Sequence, residues 1–175
     1  MRELDPRSLP PIIAIVETAS GLQESEDVAC APGVRALLLG AVDLGVQLRL
    51  TPRVDGLELP FARSKLVMDS AAAGIAAPID AVHVQLSDEN GLRRECELAR
   101  SLGFGGKACI HPRQVPVVER AFAPTPAELD RARRVVEAYE AALRDGAGVA
   151  RVDGEMVDLP VYERALDVIG DQRPR

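Results

Sequence analysis

The sequence predicts an α/β fold in which a parallel sheet is crossed by helices. Two observations predict it. Short apolar runs recur four times between residues 11 and 110, and each run is followed by a segment whose apolar residues are spaced for one face of a helix. Strands that alternate with helices in this way pair in parallel, because each helix returns the chain to the same edge of the sheet.

The elements can be placed in order along the chain. The predicted strands cover about residues 11–16, 35–40, 80–86 and 107–110. Helices are expected near 20–30, 61–74 and 89–102, the last beginning after Ser87-Asp88, where Asp88 is a suitable N-cap.

The clearest helix start comes later, at Thr125. Thr125-Pro126-Ala127-Glu128 combines an N-cap residue, a proline in the first turn and the glutamate of a capping box. This helix is predicted to run to about residue 145. An Asp153-Gly154 turn and a last helix near 160–170 follow.

Composition excludes several classes of function. The 175 residues are 47% apolar, which is enough for an ordinary domain core. A net charge of −6, a pI of about 5.0 and only 3% aromatic residues argue against a nucleic-acid partner. No apolar run is long enough to span a membrane. Three unevenly spaced cysteines without a signal-like N-terminus favour a cytoplasmic protein.

Two carboxylates are the leading candidates for chemistry. Glu17 follows the first apolar run and Asp43 follows the second, so parallel pairing would place both at the same edge of the sheet. Adjacent carboxylates repel unless a cation lies between them, and hard oxygen ligands favour Mg²⁺. The alternative is that both carboxylates are helix caps or loop residues bonded to backbone amides.

Other polar residues have plainer interpretations. His111, followed by a proline, is expected to fix a turn, and His83 is expected to be a core or edge residue with satisfied hydrogen bonds. Arg63, Ser64 and Lys65 lie on a predicted helix, where we expect Arg63 and Ser64 to face solvent.

Seven segments in fixed order carry a family resemblance. They are Ile13–Gly21, Leu38–Leu44, Ala62–Val67, Pro78–Val82, Gly103–Gln114, Ala121–Glu128 and Asp153–Asp158. Together they resemble the citrate lyase beta subunit-like branch of the HpcH/HpaI aldolase superfamily, over about residues 11–170. Members of that family are (β/α)₈ barrels that cleave or form a carbon–carbon bond in acyl-CoA esters of hydroxy acids.

The resemblance implies a partial (β/α)₈ TIM barrel. Residues 1–122 would supply four parallel strands that correspond to the second half of the barrel, and residues 123–175 would form a C-terminal helical extension or lid. By motif, Glu17 and Asp43 are the family's Mg²⁺ ligands. The backbone of Gly40, Ala41 and Val42 would contact the acid's carboxylate, and Asp158 would be a catalytic residue on the lid.

The resemblance also implies ligands and partners. The expected ligand is an acyl-CoA ester such as citryl-, malyl- or citramalyl-CoA, or the keto acid that its cleavage releases. The family's first four strands, with its catalytic arginine, have no counterpart in these residues, so we expect the chain to be inactive alone. It would form a homo-oligomer or pair with an N-terminal half-barrel. The alternative is a non-catalytic remnant or complementing subunit.

Overall fold

The computed structural model describes residues 10–170, which form two compact units divided between Phe122 and Ala123. The first unit contains an open parallel sheet of four strands in the order β1-β2-β3-β4, which confirms the predicted fold class. Its strands are β1 (Ile12–Val16), β2 (Val34–Leu39), β3 (Ile79–Asp80) and β4 (Gly106–Lys107). Its helices are α1 (Ala19–Gln23), α2 (Ser25–Cys30), α3 (Ala41–Leu48), α4 (Pro60–Ala72), α5 (Glu89–Leu102) and α6 (Val115–Phe122).

The two faces of the β1–β2 pair have different environments. In the parallel register Val16 lies beside Leu39, and both pack into the main core with Leu37. Side chains alternate along a strand, so the residues between them face the other way. On that second face Ile13 and Ile15 keep 54% and 58% of their surface exposed.

The third and fourth strands are shorter than predicted, because one side chain replaces part of the ladder between them. The Gln114 side-chain amide donates to the His83 carbonyl at 2.8 Å and accepts from the Ile110 backbone N–H at 2.9 Å. Residues 81–86 and 108–110 therefore lie outside the regular strands, although their order along the chain is as predicted.

One helix near the predicted site was not expected. α3 begins one residue after Gly40, in a stretch for which no helix was predicted. Its formation places Asp43 in a helical first turn rather than in a flexible connection.

The second unit has its own small core. It consists of α7 (Pro126–Arg144), an antiparallel hairpin of β5 (Ala150–Val152) and β6 (Glu155–Val157), and α8 (Leu159–Ile169). The capping box at Thr125 is present, as predicted, and Tyr139 stacks on Tyr162 with ring centroids 4.8 Å apart. β5 corresponds to the short extended piece expected after Gly148, and the chain turns at Asp153-Gly154 as predicted. The second strand, β6, was not predicted.

Candidate functional site

Glu17 lies against the backbone of the neighbouring strand's end. The Gly40 N–H donates to the Val16 carbonyl at 2.9 Å, which continues the β1–β2 pairing to the last residue before α3. A Cβ atom at Gly40 would lie 2.3 Å from the Cβ of Glu17 and 3.2 Å from its Oε2. The Glu17 side chain therefore occupies the space that any larger residue at position 40 would need.

Asp43 lies in the first turn of α3, immediately beyond Gly40. The first amides of a helix have no intrahelical acceptor, and the N-terminal end carries partial positive charge that favours anions. The N–H groups of Ala41 and Val42 belong to this turn. The end of β2 thus combines one acidic side chain with backbone donors that have no acceptor within the helix.

Gln47 connects the two acidic segments. Its Oε1 accepts a hydrogen bond from the Ala19 backbone N–H at 2.7 Å. Residues four apart lie on the same face of a helix, so the face of α3 that carries Asp43 and Gln47 is turned toward the segment that follows Glu17. The two acidic residues lie at the carboxyl ends of adjacent parallel strands, on segments joined by this bond.

The local bonding does not support the capping alternative. At the start of α1 the N-cap is Thr18, whose Oγ1 accepts from the Gly21 N–H at 3.0 Å. α3 has Gly40 as its N-cap, without a side-chain capping bond. Glu17 and Asp43 are exposed, and within residues 10–170 neither makes a hydrogen bond or ion pair with another side chain or amide.

Two carboxylates fit a Mg²⁺ site that is completed by water and substrate oxygens. They do not fit a metal site in which protein side chains supply every ligand. Among the described residues there is no group of three or more His, Cys, Asp or Glu side chains that could hold a metal ion. Mg²⁺ prefers six oxygen ligands and commonly binds through one or two carboxylates, with water and substrate oxygens completing the shell. Glu17 and Asp43 would supply those two carboxylates.

A buried network of charges lies behind the ends of β3 and β4. Asp80 accepts from Arg63 Nε at 2.9 Å and from Lys107 Nζ at 2.8 Å. Glu95 Oε2 contacts Lys107 Nζ at 2.9 Å, and Glu95 Oε1 lies within hydrogen-bond distance of His83 Nδ1 at 2.9 Å. Arg63 is thus buried in an ion pair, and the expectation that it faces solvent is wrong.

The charges around Asp80 decide its protonation state. Burial alone would raise the pKa of this carboxyl, but the nearby charges of Lys107 and Arg63, together with their hydrogen bonds, outweigh burial and lower the pKa below its ordinary value. Asp80 is therefore ionised at neutral pH and stabilises two buried cations.

A cavity of about 880 Å³ opens beside this network. It is lined by α3, the segment 49–59, residues after β3 and α5, and it includes Ala41 and Val42. Three buried polar atoms of lining residues have no hydrogen-bond partner within the part of the chain that the structure describes, namely Arg63 Nη1, His83 Nε2 and Glu58 Oε2. The expectation that His83 is fully satisfied is therefore wrong for Nε2. The cavity combines an apolar wall with unused polar groups, which is typical of a ligand pocket.

Asp158 and His111 both lie at turns. Asp158 is the half-buried N-cap of α8 and accepts from the Val161 N–H at 3.3 Å, in the second compact unit. His111 Nδ1 accepts from the Arg113 N–H at 3.1 Å, which is the turn-fixing role expected from its sequence position.

Comparison with known proteins shows the family of this chain. The HpcH/HpaI aldolase/citrate lyase family model matches residues 8–112, and a model for carbon–carbon bond lyases of the TIM-barrel fold matches residues 62–163. The chain belongs to the HpcH/HpaI aldolase/citrate lyase family.

Two curated relatives show how similar this chain is to individual members of the family. The chain is 40% identical over 159 residues to citrate lyase subunit beta of Escherichia coli, covering 90% of this chain and 52% of that protein. It is 37% identical over 148 residues to a (3S)-malyl-CoA thioesterase of Cereibacter sphaeroides, covering 85% and 52%. The chain spans about half the length of the curated relatives it matches.

Solved structures agree with the fold. CitE from Mycobacterium tuberculosis, in complex with magnesium, acetoacetate and coenzyme A, is 35% identical with a TM-score of 0.76, over 94% of this chain and 62% of that one. A citrate lyase from Burkholderia xenovorans is 25% identical with a TM-score of 0.78, over 91% and 52%. The four parallel strands therefore form part of a TIM-barrel-type architecture, and Mg²⁺ is a ligand of homologous structures. No helix within residues 10–170 is long and apolar enough to cross a bilayer.

Proposed function

We propose that this chain carries the magnesium-binding half of an acyl-CoA lyase that cleaves a carbon–carbon bond in a hydroxyacyl-CoA to give acetyl-CoA and a keto acid. The observation that carries the proposal is the pair Glu17 and Asp43. These carboxylates have no ion-pair partner among residues 10–170 and lie at the carboxyl ends of adjacent parallel strands. Citryl-, malyl- and citramalyl-CoA are the candidate substrates.

The ligands of homologous structures support this substrate class. CitE from Mycobacterium tuberculosis is described with magnesium, acetoacetate and coenzyme A, and a second structure of it is complexed with oxaloacetate and magnesium. A keto acid and a coenzyme A thioester are the two products of the proposed cleavage. Curated relatives include both citrate lyase subunits and malyl-CoA thioesterases. The proposal therefore does not choose which hydroxy acid is carried on coenzyme A.

The residues of this chain would divide the work between them. Glu17 and Asp43 act as ligands rather than proton carriers, and the bound Mg²⁺ would stabilise negative charge that develops on the acid's oxygen as the carbon–carbon bond breaks. The first-turn amides of Ala41 and Val42 would hold the acid's carboxylate, as helix N-termini commonly do. The Gly40 N–H already donates to the Val16 carbonyl at 2.9 Å, so the expectation that Gly40 also contacts the acid through its amide is not kept. Asp158 would act as a general base for thioester hydrolysis.

A metal titration tests the site without requiring turnover. Mn²⁺ replaces Mg²⁺ in oxygen sites, and free Mn²⁺ can be counted by electron paramagnetic resonance. We expect the wild-type chain to bind one Mn²⁺, the variants Glu17→Gln and Asp43→Asn to lose most of that affinity, and oxaloacetate to tighten binding. Glu26→Gln, an exposed carboxamide exchange on α2, is the matched control. A wild-type chain that binds no Mn²⁺, or a Glu17→Gln Asp43→Asn double variant that binds as wild type, would refute the proposal.

The apolar strand face favours a second role, association with further barrel strands. Ile13 and Ile15 expose more than half of their surface on one face of β1, which is an edge strand of the sheet in the described residues. The matching family is of the TIM-barrel fold, in which that face is covered by the other strands. We propose that a half-barrel with four further strands, or another copy of this chain, covers it.

Sedimentation tests this association. We expect the wild-type chain to self-associate at micromolar concentration, and Ile13→Ser Ile15→Ser to weaken that association. Val54→Ser, at an exposed position away from the strand face, is the control. A sharply defined monomer for the wild-type chain would count against the association.

The three free thiols in the chain also fit a reducing, cytoplasmic compartment, which we propose as its location.

A further inference from the structure

We infer that Gln47 is a positioning residue that sets the separation of the carboxylates Glu17 and Asp43. The inference rests on the proposed metal site and adds to it a residue with no charge and no metal-ligand role of its own. Its basis is the 2.7 Å hydrogen bond from the Ala19 N–H to Gln47 Oε1, which joins residues 28 positions apart.

The bond joins Ala19, at one end of the segment 17–19, to Gln47, at one end of the segment 43–47. Glu17 and Asp43 lie at the opposite ends of these two segments. Ala19 is two residues after Glu17, and Thr18 between them is held by its own capping bond to the Gly21 N–H. Gln47 is one helical turn after Asp43 on α3. A continuous path therefore runs from Asp43 along α3 to Gln47, across the hydrogen bond to Ala19, and on to Glu17.

The backbone leaves this amide for a side chain to satisfy. Ala19 is the first residue of α1, and the first N–H groups of a helix have no intrahelical acceptor. Gln47 is exposed, so water could satisfy both groups equally well if the bond were absent. The bond is therefore a constraint on geometry more than a requirement of folding.

The cores of the two helices do not depend on this bond. Leu22 of α1 and Leu44 of α3 are buried in the main cluster and hold both helices to the sheet. Removing the Gln47 acceptor should thus leave the fold intact while it lets the turn after Glu17 move relative to α3. Groups that orient metal ligands through hydrogen bonds typically change metal affinity by about 10–100-fold when removed.

Two variants at this position separate the acceptor from the bulk of the side chain. Gln47→Met keeps the length and removes the strong acceptor, whereas Gln47→Glu keeps an acceptor oxygen. Gln23→Met, at the last residue of α1, is the matched control. For each variant we would measure the Mn²⁺ dissociation constant, the amide chemical shift of Ala19 without metal, and the midpoint of thermal unfolding.

We expect Gln47→Met to weaken Mn²⁺ binding by about 10-fold, to move the Ala19 amide signal toward that of a solvent-bonded amide, and to leave the thermal midpoint unchanged. Gln47→Glu should restore the Ala19 signal and most of the affinity, and Gln23→Met should match wild type. Since an added negative charge could tighten metal binding by itself, the Ala19 signal decides whether the rescue comes from the acceptor.

The outcomes distinguish the two proposals. If wild type binds Mn²⁺ and Gln47→Met binds equally well, the positioning role is wrong and the metal site stands. A parallel loss of affinity and thermal stability in Gln47→Met would also overturn it, because the residue would then be structural. If wild type binds no Mn²⁺, the metal site fails and the positioning role fails with it.

Discussion

Gly40 and Glu17 share one small volume at the ends of two adjacent strands. A Cβ on residue 40 would come within 2.3 Å of the Glu17 Cβ, closer than any real contact of this kind. The absence of a side chain at position 40 is thus what allows Glu17 to lie over the start of the helix that carries Asp43.

Gly40→Ala should therefore damage both the fold and the site. Overpacking of this kind costs about 1–3 kcal/mol, and the displaced Glu17 should bind Mn²⁺ more weakly. Gly45→Ala on the same helix is the control, because a Cβ there meets nothing within 4 Å and alanine favours helix by roughly 0.5–1 kcal/mol. Urea unfolding and Mn²⁺ titration check both effects. A Gly40→Ala protein as stable and as metal-binding as wild type would contradict the geometry.

Asp80→Asn should be strongly destabilising at neutral pH. The variant leaves Arg63 and Lys107 buried without their shared carboxylate, and breaking a buried pair typically costs about 3–5 kcal/mol. Urea unfolding at pH 7 measures the difference. The control is Asp27→Asn, on the exposed face of α2, which should lie within about 0.5 kcal/mol of wild type.

The stability that Asp80 contributes should vary with pH in a definite direction. Its folded-state pKa is lowered, so the contribution is complete above the unfolded-state value of about 3.9 and is lost as pH falls through the folded-state pKa. The gap between wild type and Asp80→Asn should be constant from pH 7 to about pH 5 and should shrink below about pH 4. A gap that widened on acidification would show that Asp80 is not ionised in the folded protein.

The three cysteines should differ in reactivity. Cys30 and Cys109 are exposed, whereas Cys96 is buried and burial raises the pKa of its thiol to about 11. Since the thiolate is the reactive form, two thiols should react with a disulfide reagent at pH 8 and the third should react only after unfolding. The alanine variant of Cys96 should titrate two thiols under both conditions. Rapid reaction of Cys96 in the native protein would contradict its placement.

Substitutions at Asp158 distinguish its role as the N-cap of α8 from the proposed role as a general base. Asparagine is as good an N-cap as aspartate, whereas alanine at an N-cap costs about 1 kcal/mol. Asp158→Asn should leave the stability of α8 unchanged and, in the assembled enzyme, abolish thioester hydrolysis. Full hydrolytic activity in the asparagine variant would restrict Asp158 to capping.

Much of the fold could be predicted from local patterns. β1, α5 and α7 were predicted to within a residue or two, because alternating apolar runs and the caps at Asp88 and Thr125 are encoded within a few neighbouring residues. α3 was missed, since Gly40 supplies no side-chain cap and its start is set by packing against Glu17.

Only part of the candidate site could be predicted from local sequence patterns. Two acidic residues after two apolar strands were enough to suggest Glu17 and Asp43. Gln47 and Gln114 act through hydrogen bonds across 28 and 31 positions, which no local pattern reports. Arg63 was expected to face solvent because a charge on a helix usually does, and its buried partner Asp80 lies 17 residues away.

Paramagnetic broadening by Mn²⁺ tests the central claim most directly, because it locates the metal on the folded chain. In an amide spectrum of the 175-residue protein, the account predicts selective loss of signals from residues 17–21 and 40–45, reversed by excess Mg²⁺ and absent in Glu17→Gln Asp43→Asn. Broadening centred elsewhere in the chain, or persisting in that double variant, would contradict it.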